Sequence, residues 1–383
     1  MAGSGAMKNS FGTVGPHTYS DGIFGKKIVI LGINPPPLGG ISIHVQRVAD
    51  KFRGQGNTVI LFDTEKRARG FWGFLVHEVR ILRFLIAHKP DLVYHHTLTC
   101  FFRGRLLELA LVVVLKRVLG YQLIMVDHVS RFFIAQSWLY KKIVNVLFCA
   151  LDQQVLIGSS TYASYRQNGL YVGTSGSVEA AFLPPDRARE KEIMAAYPVA
   201  LHDFLSAHAP VVLANASKMV FFSGAGVMAQ HTGKELYGFD LCLESLDKLQ
   251  LTYPRMGIVF ALSGAGDEVC FKRLLKTIEK KESVYLMYQC PGELWPLLKC
   301  VDLFIRPTLS DGASVSLQEA LYFGTPVVAS DVCERPAGTV LFKTGDQNDF
   351  VKKVSEVLNE CEAINIRRNY SHAQQTSRFS NVS

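Results

Sequence analysis

The residues best suited to chemistry lie near the end of the chain, in FIRPTLSDGASVSLQEALYFGTPVVAS, which runs from Phe304 to Ser330. Two carboxylates, Asp311 and Glu319, bracket a loop of small residues, Gly312, Ala313 and Ser314. Carboxylates are poor phosphate ligands but good acceptors for sugar hydroxyls. A helix that starts after a small-residue loop offers free N–H groups and the positive end of its dipole to phosphate oxygens. A diphosphate at the helix tip with hydroxyls on either side would use both. The spacing fits equally a bland arrangement, Asp311 as a helix cap and Glu319 as a solvated helix position.

The elements around this loop follow from the pattern. Val301 to Ile305 (VDLFI) is an apolar run that predicts a buried strand, and Pro307 and Ser310-Asp311-Gly312 break it. A helix is predicted from about Ser314, with Val315, Leu317, Leu321 and Tyr322 as core-facing positions. Gly324-Thr325-Pro326 closes it, and Val327-Val328-Ala329 opens the next strand.

This stretch resembles the donor-nucleotide signature of GT-B glycosyltransferases of the retaining family four, group 1 type. That signature is an acid, seven residues, Glu, then Ala and a Gly-x-Pro-Val-[IV] strand. Here Asp311 stands where Glu is commoner, followed by Glu319, Ala320 and Gly324-Thr325-Pro326-Val327-Val328. The resemblance implies an α/β GT-B fold of two Rossmann-like, doubly wound parallel-sheet domains facing a cleft. It implies a retaining, metal-independent hexosyltransferase with a front-side mechanism and no cofactor beyond its nucleotide-diphosphate sugar substrate. The acceptor would be a glycan or lipid-linked glycan in polysaccharide or glycoconjugate biosynthesis. By the same resemblance Glu319 binds the nucleotide ribose and Asp311 the transferred sugar, while Gly312, Ala313, Ser314 and Val315 hold the diphosphate and sugar.

The chain also departs from the family. Where members carry Gly-Arg after the first C-terminal strand and Lys-Gly at the head of the next helix, it has Asn215-Ala216 and Tyr237-Gly238. Those cations neutralise the diphosphate, and burying it unneutralised is very costly. Arg306, at the end of a predicted strand, and Arg335 are the candidate replacements, with Lys218 and Lys234 as flexible ones; guanidinium forks suit phosphate. A salt bridge from Arg306 to Asp302 or Asp311 is the alternative. The missing pair also keeps open a catalytically silent GT-B partner, and a nucleotide-sugar epimerase is a further alternative.

In the N-terminal half, Lys26 to Gly32 (KKIVILG) predicts a strand, followed by a loop with Gly39-Gly40 and a helix over Ile41 to Phe52. Glycines there are either a plain tight turn or an anion approach; the resemblance places Gly39 and Gly40 near the donor phosphates. Asp91 to Tyr94 and Gln122 to Val126 read as strands that end in His95-His96 and Asp127-His128. Imidazoles at that end of a parallel sheet sit where open α/β sheets bind ligands. A metal set of His95, His96 and His128 lacks a carboxylate cluster to complete it, and none is expected. The resemblance makes His128 the histidine that contacts the donor sugar, against the bland reading of a capping or core histidine.

Arg67 to His88 and Arg131 to Asp152 are basic, aromatic and helical in spacing. The first fits either an amphipathic face on anionic lipid or a helix packed on the sheet with solvated arginines. The net charge of +8 and pI near 9.0 point to anionic partners, from nucleotide-sugars to membrane headgroups. No motif resembles a nucleic-acid module. Eight Cys show no C-x-x-C pair, which fits a reduced cytoplasmic setting with most of them buried. No apolar run reaches the roughly 18 residues of a membrane span, and the expectation is a cytoplasmic protein with peripheral contact at the inner face of the membrane. The expected organisation is 1–24 tag and flexible tail, 25–180 acceptor domain, 181–208 linker or cover, 209–360 donor domain, and 361–383 a tail returning to the first domain.

Overall fold

The computed structural model describes residues 22–35, 39–64, 70–97, 104–128, 137–173, 176–312 and 314–360. Ala313, the heads of the two basic aromatic stretches (65–69 and 131–136), most of the expected N-terminal tail and the 361–383 tail lie outside the described residues. Two compact units divide between Leu183 and Pro184, with Gly39 and Gly40 falling with the second. Each is built on a six-stranded sheet, and every strand pair is parallel.

The first sheet has the order β2-β1-β3-β4-β5-β6, with β1 Lys27–Gly32, β2 Thr58–Asp63, β3 Leu92–Thr97, β4 Gln122–Asp127, β5 Gln153–Ile157 and β6 Ser177–Glu179. Its central strands are continuous apolar runs because helices cover both faces. Between the strands run α1 (Gly40–Gly54), α2 (Gly70–His88), α3 (Gly104–Leu119), α4 (Trp138–Phe148) and α5 (Ser159–Gln167). The chain steps one way from β1 to β2 and the other way from β2 through β5. Right-handed crossovers therefore put α1 on one face and α2, α3 and α4 on the other. Strand β6 lies inside the Gly-, Ser- and Pro-rich stretch 173–185, where three residues are too few for a visible period.

The second sheet has the order β12-β11-β10-β7-β8-β9, with β7 Val211–Met219, β8 Gly257–Gly266, β9 Val284–Tyr288, β10 Leu303–Arg306, β11 Val327–Ser330 and β12 Thr339–Phe342. Helices α6 (Glu190–Ala196) and α7 (Val199–Ala207), in the expected linker, bury Ile193, Tyr197, Leu201 and Phe204 in this unit's core. Then come α8 (Phe239–Gln250), α9 (Glu268–Ile278), α10 (Trp295–Leu298), α11 (Val315–Tyr322) and a helix over 347–360. Of Ser263 to Asp267, a stretch whose glycines predict a loop, Ser263 to Gly266 is instead the end of β8 and Asp267 caps the helix that follows. Gly264 and Gly266 pair with Lys218 and Met219, and Gly266 (φ +68°) would place a Cβ 2.2 Å from the Met219 carbonyl oxygen. Of the six described cysteines only Cys242 and Cys270 are buried, so the expectation that most would be is corrected.

Candidate active site

In the second unit the strand order reverses between β7 and β10, and open α/β sheets bind ligands beyond the carboxyl ends of the strands at such a reversal. Arg306 ends β10, in register beside Ala329 of β11, while Ile305 pairs with Ala214 of β7. Ser314 caps α11 with extended backbone (φ −69°, ψ 117°), and its Oγ accepts from the Leu317 N–H at 3.4 Å. The Ser316 hydroxyl donates to Asn215 Oδ1 at 3.0 Å, tying the first turn of α11 to β7. The helix buries Leu317, Ala320 and also Glu319, which is 1% exposed; a solvated Glu319 is thereby ruled out. Tyr322, expected to face the core, is exposed instead, because the buried stripe runs through 317 and 320.

A carboxylate between two guanidiniums occupies the loop before this helix. Arg306 grips Asp311 with both arms, Nε to Oδ2 at 2.9 Å and Nη2 to Oδ1 at 3.0 Å. Its Nη1 donates to the Asn215 carbonyl at 3.0 Å and to Asn215 Oδ1 at 3.1 Å. Arg335 reaches Asp311 Oδ2 at 2.7 Å, and also donates to the Ser330 carbonyl and to the hydroxyls of Thr308 and Ser330. Burial works to raise the Asp311 pKa, but the two guanidiniums outweigh it and hold the acid down at about 2. Burial likewise opposes the charge of Arg306, and Asp311 outweighs it, so its pKa is raised. The cluster carries two positive charges and one negative. Asp311 is therefore an ion-pair partner rather than a helix cap, the cap being Ser314. Asp302, the other partner considered for Arg306, accepts from the Val211 N–H instead.

The positions where the two expected cations are missing lie around the same guanidinium. Asn215 is inside β7, not after it, and it holds Arg306 through two hydrogen bonds. Tyr237 sits just before α8, its hydroxyl 2.8 Å from that of Ser217, and Arg306 lies over its ring at 5.2 Å from the centroid. The turn is set by buried Glu235, whose two oxygens accept from the N–H groups of Tyr237 (2.8 Å) and Phe239 (2.9 Å). Burial pushes the Glu235 acid up to about 7 against those two bonds. Lys218, one of the flexible candidates, is exposed on β7. The residues that sequence reasoning missed are Asn215 as an anchor and Glu235; an acid just before a helix head, Glu235 ahead of Phe239, was the available signal for the second.

In the first unit His95 and His96 lie within β3, so they point to opposite faces. His95 turns toward α2 and α3, where its Nε2 meets Glu108 Oε1 at 3.0 Å and His77 stands 4.0 Å from the other oxygen. His96 turns toward α1 and meets His128, Nδ1 to Nε2 at 3.1 Å, with the rings stacked. The trio that forms is thus His44, His96 and His128, with ligand atoms within 4.8 Å of one another, and not the set containing His95. His44 donates Nδ1–H to the Ala181 carbonyl at 3.0 Å when its other nitrogen carries the lone pair. Burial, then the nearby His128 and His44, hold the His96 pKa well below its ordinary value; burial, then His44, do the same for His128. Gly40 opens α1, with Gly39 directly before it.

Residues 218–360 match the family model described as Glycosyl transferases group 1. No curated protein matches the chain. Among solved structures it is similar to HepE from Anabaena in complex with UDP-glucose (14% identity, TM-score 0.55, covering 92% of this chain and all of that one). It is also similar to sucrose-phosphate synthase from Thermosynechococcus elongatus (14%, 0.57, 92% and all). A third is the UDP-GlcNAc 2-epimerase from Methanocaldococcus jannaschii (12%, 0.53, 87% and 93%). The likeness shows the GT-B fold of two Rossmann-like domains.

Proposed function

We propose that this chain, whose second unit carries a group 1 glycosyltransferase domain, moves a sugar from a nucleotide-diphosphate sugar to a glycan or lipid-linked acceptor. We place it in the cytoplasm in peripheral contact with a membrane, with retention of configuration and no metal. The observation that carries the reading is the Arg306–Asp311–Arg335 cluster set directly before the N-terminus of α11, with Glu319 buried one turn into that helix. In this reading the first-turn N–H groups and the cluster's net positive charge face the diphosphate, whose charge grows as the glycosidic bond breaks. Asp311 accepts from a hydroxyl of the transferred sugar, Glu319 from the ribose, and Gly312, Ser314 and Val315 line the phosphate path. His128, neutral because its pKa is depressed, serves as a hydrogen-bonding partner of the sugar and not as a proton donor of imidazolium type. Gly39 and Gly40 let the donor approach the backbone.

The experiment is a calorimetric titration against UDP-, GDP-, ADP- and TDP-sugars without added metal. One nucleotide binds, and Glu319→Gln weakens it about tenfold, the size of one hydrogen bond to a charged group. A second reading, a silent GT-B partner, is favoured by one observation: both arginines already have a carboxylate. No binding by any donor selects it, and free nucleotide released without an acceptor selects an epimerase.

A further inference from the structure

The outward face of α2, α3 and α4 in the first unit is apolar in a way that the core does not require. These helices are neighbours on one side of the sheet, and Ile81, Leu85, Leu109, Val112, Val144 and Phe148 from all three share one core cluster with the strands. Each carries a second apolar stripe on its other side. On α2 it runs through Trp72, Val76 and Val79, opposite the buried Gly73, His77, Ile81 and Leu85. On α3 it is Leu107, Val114 and Val118, and on α4 it is Leu139, Ile143 and Val146. The spacings, three, four, seven and eleven, are those of a helix face. A water-facing stripe should be polar, and three adjacent ones make a patch larger than scattered exposed residues would.

Among the described residues, the fully exposed charges on these helices have one sign. Arg80, Arg83, Arg117 and Lys142 are exposed, whereas the carboxylate oxygens of Glu78 are buried and Glu108 is 1% exposed. Trp72 (77% exposed) and Trp138 (69%) stand at the patch, the latter with the Lys142 ammonium 4.0 Å over its ring. Indole rings and amines beside aliphatic side chains are the set that suits the bilayer interface, where a ring sits at headgroup depth and cations meet lipid phosphates. A second copy of the chain would set these cations against one another, and the cores of protein interfaces exclude such charge. Among the described residues no helix is long and apolar enough to cross a membrane, so the face lies on a surface and does not span one.

We propose that the α2–α3–α4 face docks on an anionic phospholipid bilayer, with Trp72 and Trp138 inserted at the interface and Arg80, Arg83, Arg117 and Lys142 on lipid phosphates. It deepens the transferase reading above, from which it takes the lipid-linked acceptor, while the surface itself is argued from the first unit alone.

The test is sedimentation of the full chain with phosphatidylcholine vesicles and with mixed phosphatidylcholine–phosphatidylglycerol vesicles, at low and high salt. The protein sediments with the anionic vesicles, less at high salt, and little with phosphatidylcholine alone. Trp72→Ser with Trp138→Ser lowers the anionic partition coefficient about tenfold or more, and Arg83→Glu with Arg117→Glu abolishes its salt dependence. Both variants alter exposed positions, and an unchanged melting temperature checks that they fold. No sedimentation of the native chain, or sedimentation unchanged in both variants, overturns the proposal. So does a stable dimer that the tryptophan variant breaks in the absence of vesicle binding. A donor titration on the same samples separates the two readings: vesicle binding with no donor binding leaves the docking face standing and removes the transferase.

Discussion

The guanidinium of Arg306 lies over the ring of Tyr237, 5.2 Å from its centroid, so a cation stacks on the side chain that stands where the sequence resemblance leads one to expect a lysine. The same guanidinium is hydrogen-bonded to Asn215, at the other position where a cation was expected. One arginine from a neighbouring strand thus lies between both positions. Its charge is shared with Asp311, and Arg335 restores the positive balance.

Replacing Arg306 by Ala is expected to lower donor-nucleotide affinity by about tenfold or more, equivalent to roughly 1.4 kcal/mol. The fold also loses about 3 kcal/mol, because Asp311 and Asn215 lose their main partner in a buried site. Arg306→Lys keeps a charge but not the fork, and falls between the two in calorimetric affinity. Native affinity in the Ala variant would remove Arg306 from the diphosphate site.

Glu108 is another buried acid, on the face of the first sheet covered by α2 and α3, joined to His95 and, at longer range, His77. Glu108→Ala leaves His95 in the core without that partner and is expected to cost about 2–3 kcal/mol of stability. Urea denaturation measures it. Donor affinity at a temperature where the variant is folded stays native, since the residue belongs to the first unit's core.

Acid should destabilise the protein in two separable windows. His96 and His128 have native pKa values below their unfolded ones, so the unfolded chain binds more protons once pH drops below about 6.5. Their contribution is full above that pH and is lost progressively below it. Asp311 adds a second loss only as pH falls from about 4 toward about 2. Melting temperature against pH should therefore fall first below 6.5, and a His96→Asn, His128→Gln double variant should flatten that limb alone. A curve flat down to pH 4 would contradict the depressed histidines.

Treatment with EDTA is expected to leave both donor binding and transfer unchanged. Each of the three rings already gives one nitrogen to a protein hydrogen bond, His96 Nδ1 and His128 Nε2 to each other and His44 Nδ1 to the Ala181 carbonyl. Loss of activity on chelation, restored by zinc, would turn the histidine trio into a metal centre instead.

Much of the architecture was legible because parallel strands covered on both sides read as unbroken apolar runs, as in KIVILG and VDLFI. The Asp311 loop was legible from its breakers and from Ser314. Pairing was not. That Arg306 would choose Asp311 over Asp302 depends on β10 ending beside Asn215, a matter of strand order that no local pattern carries. The parting of His95 from His96 follows from their lying inside β3 rather than after it, a shift of three residues in a strand end, from Tyr94 to Thr97. Strand β6, three residues long, falls below the length at which a period can be seen.

The Arg306–Asp311–Arg335 cluster has one further consequence. Its side chains lose their rotamer freedom when the protein folds, since each guanidinium is already fixed by three or more hydrogen bonds. A ligand arriving there meets donors that need no ordering, a saving of about 0.5–1.5 kcal/mol for each long side chain that a floppier site would have to immobilise. Under the proposed function the anion end of the site is in this sense finished at folding, and what remains to be ordered on binding is the ligand itself.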